Sequence, residues 1–134
     1  MTDEPVRLDG HSDVTVLAVA LDCADLARSA AFWCELLGYI AEPYPSGRYW
    51  RLVPANGNGI GLLLQQVPEP KVHKNRMHLD LRVPDLHAAV DRIVSLGARR
   101  ITQTPIEEDG WMWHVLADPD GNEFCCATPA STED

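Results

Sequence analysis

Apolar positions along this chain recur in two cycles of the same order. Val14–Cys23 is a β-branched, apolar run that predicts a strand. Asp25 then offers an N-cap, and Leu26, Ala30, Trp33 and Leu37 fall at i, i+4, i+7 and i+11, one continuous helical stripe closed by Gly38. About 60 residues on, Leu79-Asp-Leu-Arg-Val repeats the strand and Asp85 repeats the cap. Leu86, Val90, Ile93 and Val94 then repeat the stripe, and Gly97 the stop. Each helix is followed by a short strand, near 39–43 and 98–103, a polar loop, and a hairpin. The first hairpin runs 49–54 to 60–67 around Asn56-Gly57-Asn58-Gly59; the second runs 111–117 to 123–128 around Asp118-Pro-Asp-Gly-Asn122. Asn-Gly and Asp-Gly favour such turns because both residues tolerate positive φ.

Each cycle therefore predicts strand, helix and three strands. Two copies are too few, and their period too long, for a solenoid. Two apolar sheet faces are better buried as halves of one domain spanning 1–134, with a cleft shared between them. Module one covers about 14–67, a Pro-rich linker 68–74, and module two about 75–128. The first dozen residues and the tail from Pro129 are expected to be loose.

A net charge of −9 and a pI of about 4.8 argue against nucleic acid, which requires a basic face. Lys71, His73, Lys74 and Arg76 do cluster, but in the linker, where solvation is the simpler expectation. No apolar run is long enough to span a membrane, and Met1-Thr-Asp-Glu-Pro has no signal-peptide character. Cys23, Cys34, Cys125 and Cys126 lack C-x-x-C spacing and suit reduced, buried thiols, so a cytoplasmic location is expected. The acidic balance favours a neutral or cationic small molecule as partner.

The duplicated βαβββ pattern, with His78-Leu-Asp-Leu-Arg-Val-Pro-Asp85-Leu86, Ala31-Phe-Trp-Cys-Glu-Leu-Leu-Gly38 and Asp118-Pro-Asp-Gly-Asn122-Glu-Phe, resembles the vicinal oxygen chelate superfamily. This is the glyoxalase, bleomycin-resistance and extradiol-dioxygenase group, and the likeness is strongest to its glyoxalase-like domain subgroup. The resemblance covers about residues 14–128. It implies an α+β fold of two tandem βαβββ modules, paired curved mixed sheets around a shared cleft, and helices outside.

The resemblance also implies where a metal would be held. A first-strand ligand seven residues before the capping Asp falls on His78 in the second half but on Ala18 in the first. The last-strand positions carry Cys125, with Glu123 on the same face, and Gln65. Such a set is poor for Mg²⁺ or Mn²⁺, which prefer oxygen donors. No cofactor is therefore expected; a divalent metal through His78 stays open, with an incomplete ligand set.

Strand alternation places His78, Asp80 and Arg82 on one face, where Asp80 can orient His78 or act as general base. Asp22 matches Arg82 in the other half, so an ion pair between them is a structural alternative. Tyr49, Trp50, Trp111 and Trp113 occupy equivalent hairpin strands and are expected to wall the cleft, with Glu107-Glu108-Asp109 at its mouth. Core or dimer-interface packing is the competing role for those aromatics. Two functions follow. One is an enzyme or former enzyme, a glyoxalase-like lyase, isomerase or dioxygenase acting on a small oxygenated or planar substrate through His78 and Asp80. The other is a non-catalytic protein that sequesters a drug or metabolite, as bleomycin-resistance proteins do. A homodimer is compatible with either.

Overall fold

The computed structural model describes residues 4–6, 13 and 15–130. The expected loose N-terminus lies largely, and the tail beyond Ala130 wholly, outside the described residues. The first half contains β1 (Val19–Cys23), α1 (Leu26–Leu37), β2 (Tyr39–Pro43), β3 (Tyr49–Pro54) and β4 (Leu62–Gln66). The second contains β5 (Leu79–Arg82), α2 (Leu86–Ser95), β6 (Arg99–Arg100), β7 (Ile106–Glu108), β8 (Trp111–Ala117) and β9 (Glu123–Pro129).

The halves are copies in topology. One sheet runs β1-β4-β3-β2 and the other β5-β9-β8-β6, with β7 also on β8. In each, the first strand lies parallel to the last (β1 with β4, β5 with β9), and the rest is antiparallel. The fold is thus α+β, two mixed sheets with a helix packed on each.

Asp25 and Asp85 cap the helices as the sequence predicts, accepting from Arg28 N at 2.9 Å and Ala88 N at 3.1 Å. Gly38 ends α1 in the left-handed conformation, φ 71°. Three expectations change. The strand expected over Val14–Cys23 begins only at Val19, with residues 15–18 outside it. Val94 is exposed, because the buried stripe of α2 is Leu86, Val90 and Ile93. The strand expected at 98–103 is split: Ile101 N and Thr102 N both reach Val115 O, and Thr102 Oγ1 takes the Val115 N–H, so the ladder is interrupted there. It resumes as β7, joined to β8 by the two-residue turn Asp109-Gly110, with φ of 53° and 83°. Positive φ at both residues is the primed geometry an Asp-Gly pair favours.

One apolar cluster runs through both halves. Trp33 of α1 meets Phe32 and, across the boundary, Phe124 of β9, each with ring centroids 5.1 Å apart. The Asp118–Asn122 turn does more than close a hairpin. Asp118, buried at 4% exposure, accepts from Trp33 Nε1 (3.1 Å), Asp120 N (2.9 Å) and Asn122 N (2.8 Å). Asp120 Oδ1 accepts from Ala24 N and Arg28 Nη2, both at 2.8 Å, and Asn122 Nδ2 donates to Asp22 O at 2.9 Å. The second half therefore grips the N-terminal turn of α1.

Candidate functional site

Residues paired across a sheet ladder share a face, so the registers read out the surface turned away from α2. Asp80, Cys125 and Val115 form one row; Arg82, Ala127 and Trp113 form the next; Pro129 and Trp111 lie beyond. The middle strand carries the small side chains Cys125 and Ala127, while larger ones stand on β5 and β8. A trough results. It encloses about 670 Å³ and is lined by these residues (Pro129 excepted) together with Lys74, His78, Glu108, Asp109 and Glu123.

Along one side of the trough the exposed His78 and Asp80 converge on the buried Cys125, their donor atoms all within 4.8 Å of one another. His78 Nδ1 is 2.9 Å from Asp80 Oδ1 and 3.9 Å from Cys125 Sγ. Burial, reinforced by the Asp80 carboxylate, pushes the Cys125 thiol up to about 11, so it is protonated near neutrality. The trio can polarise a bound hydroxyl or carbonyl through the Asp80-oriented imidazole, but it does not supply a ready thiolate nucleophile.

As a metal centre the trio is partial. One sulfur, one nitrogen and one oxygen suit a zinc-like ion better than Mg²⁺. Binding would require the thiol proton to leave and His78 Nδ1 to exchange its carboxylate partner. Among the described residues the first half adds no donor, since residue 18 is alanine and Gln65 does not line the trough.

The sequence-derived candidates separate clearly. His78, Asp80, Cys125, Trp111 and Trp113 line one trough; Tyr49, Trp50 and Gln65 do not. Trp50 pairs with Leu64, which is fully buried in the core, so its indole faces α1 and packs there. Tyr49 and Gln65 pair on the opposite face of the first sheet. Among the described residues, the trough is lined by those of the linker and the second half alone. Glu108 and Asp109 reach its rim, whereas Glu107 pairs with Met112 and so belongs to the other face. Asp22 forms no ion pair with Arg82 among the described residues; Arg82 instead lies over the Trp111 ring, 5.4 Å from its centroid. The linker is not merely solvated. Lys71 lies 3.9 Å from Glu123 Oε1, Asn75 N donates to that same oxygen at 2.9 Å, and Lys74 enters the lining. Lys74, Val115 and Ala127 also line the trough; alternation puts Val115 with the tryptophans and Ala127 with Cys125, but nothing local marks a linker lysine or a small residue as part of a trough.

His114 directly follows Trp113 in sequence and lies on the other side of the sheet. It is buried against Thr102 Oγ1 at 2.8 Å, and burial together with Arg100 lowers its pKa. It is a core residue, outside the trough.

The sequence profile described as Glyoxalase-like domain matches residues 18–127. No curated protein matches the chain. Among solved structures, a glyoxalase/bleomycin resistance protein/dioxygenase from Nocardioides superposes with a TM-score of 0.70 at 15% identity, covering 94% of this chain and 90% of that one. A glyoxalase/bleomycin resistance protein/dioxygenase family enzyme from Burkholderia phytofirmans gives 0.64 at 21% identity, covering 85% and 98%. TnmS3, an antibiotic binding protein from Streptomyces sp. CB03234, gives 0.67 at 23% identity, covering 90% and 100%. At these identities the likeness is one of fold.

Proposed function

This chain belongs to the glyoxalase-like domain family, and from that premise we propose that it binds a flat small molecule in the second-half trough, holding it without chemical conversion. The observation that carries this reading is the trough itself: about 670 Å³ walled by Trp111 and Trp113 over the small residues Cys125 and Ala127. A cavity of that size suits a drug- or metabolite-sized ligand. Indole faces beside a narrow floor favour a planar one. An antibiotic-binding relative of the same fold supports the reading.

The catalytic alternative draws on the His78–Asp80 pair, an oriented imidazole beside a carboxylate at 2.9 Å. Against it stand the protonated thiol and, among the described residues, the lack of any first-half donor in the trough.

Neutral acridine serves as a planar probe. It is expected to quench tryptophan emission, and Trp113→Ala is expected to weaken its binding by roughly 1–3 kcal/mol. If Trp113 were simply core, the same variant would lose stability and keep its affinity. A destabilised variant that binds normally would overturn the proposal.

A further inference from the structure

The charges around the trough fall into two kinds. His78 and Asp80 are paired with each other, and Glu123 is held by Lys71 and Asn75. Four others lining it, Arg82, Lys74, Glu108 and Asp109, take part in no ion pair among the described residues. They are segregated by sign. Arg82 stands on β5 and Lys74 on the linker leading into it; Glu108 stands on β7 and Asp109 in the turn beyond. Strands β9 and β8 lie between those two banks. Three strand spacings, about 14 Å along a sheet, separate the backbones of the two banks. Although the Arg82 side chain leans across to Trp111 on β8, it makes no ion pair with Glu108 or Asp109 among the described residues. Between the banks lie the indoles and the apolar floor. Arg82 already covers one indole, so its guanidinium is poised beside the place where a ring would stack.

We infer that the ligand is amphoteric: a planar molecule with an anionic group, such as a carboxylate, against Arg82 and Lys74, and a cationic group against Glu108 and Asp109. This rests on the trough being the ligand site, and it refines the neutral or cationic partner expected from net charge alone. A molecule with only one charge leaves one bank uncompensated. Both banks are partly solvated, so the gain per contact is modest and is screened by salt.

Four probes on one ring test this by titration calorimetry: acridine, an aminoacridine, an acridine carboxylate and an aminoacridine carboxylate. The amphoteric probe is expected to bind about tenfold more tightly than either singly charged one in low salt, with the advantage shrinking as salt rises. Within Arg82→Gln the ratio of amphoteric to cationic affinity should fall toward one. Within the double variant Glu108→Gln, Asp109→Asn the ratio of amphoteric to anionic affinity should do the same. If neutral acridine binds but the amphoteric probe binds no better than the tighter singly charged one, the inference fails and the pocket reading stands. If none of the four binds, the pocket reading fails and takes this inference with it.

Discussion

At His78 one imidazole nitrogen faces two neighbours, Asp80 at 2.9 Å and the Cys125 thiol at 3.9 Å, and the balance between them sets what the trio can do. With the Cys125 pKa raised to about 11, its alkylation by iodoacetamide should be slow at neutral pH and accelerate only as alkaline pH approaches that value. Peptide mass spectrometry against pH reads this directly; fast neutral labelling of Cys125 would show that a thiolate is already present. The same protonation opposes metal. Purified protein should therefore carry well under one equivalent of Zn²⁺, Ni²⁺, Fe²⁺ or Mn²⁺ by elemental analysis. About one ion per chain, lost in His78→Ala, would restore a metal centre built on the trio.

Among the elements, the Asp118–Asn122 turn has the most consequence, because its carboxylates receive donors from both halves. Burial raises the Asp118 pKa, while the donors from Asn122, Trp33 and Asp120 hold it down only in part. A carboxyl raised on folding holds its proton more tightly in the native state. Its contribution is thus complete below the ordinary value of 3.8 and is lost as pH rises through the raised native value. Asp118→Asn removes the titration and presents an amide to a set of N–H donors, which should cost about 1–3 kcal/mol at neutral pH. Urea melts across the acid range should show the gap between wild type and variant widest at low pH and narrowing as pH rises. A gap that widens with pH would mean that the hydrogen bonds outweigh burial at this carboxylate.

For the whole molecule the question is whether two topological copies unfold as one. The core is shared: Trp33 and Phe124 are in contact, each at 1% exposure, and Trp33 Nε1 is bonded into the opposite half. A single cooperative transition is expected, with far-UV and near-UV circular dichroism melting together. Trp33→Ala should cost about 3–5 kcal/mol as a large-to-small core change, and it also strands Asp118 without one of its donors. Two separated transitions in the wild-type protein would show that the halves are independent units linked by the turn.

Periodicity alone determined the duplicated unit, both helices with their aspartate caps, and the positions of nearly every strand, since these follow from local spacing and from backbone preferences at Asp25, Asp85 and Gly38. Alternation along β5 and β8 also put His78 and Asp80 on one face and Trp111 with Trp113 on another, while Cys125, and His78 as a ligand position, came from the resemblance to the vicinal oxygen chelate superfamily. Register was beyond the reach of periodicity. Trp50 and Tyr49 are neighbours in sequence, and only the pairing of Trp50 with buried Leu64 decides that the indole serves the core. Local signals in the second half were also incomplete: the Asp109-Gly110 turn was legible in principle, but the break at Thr102 arises from a side chain replacing a backbone donor–acceptor pair across strands. Which half carries the trough depends on long-range packing as well, on small residues of β9 falling between larger ones of β5 and β8. Local sequence sets the faces of each element; only the tertiary arrangement decides which faces meet.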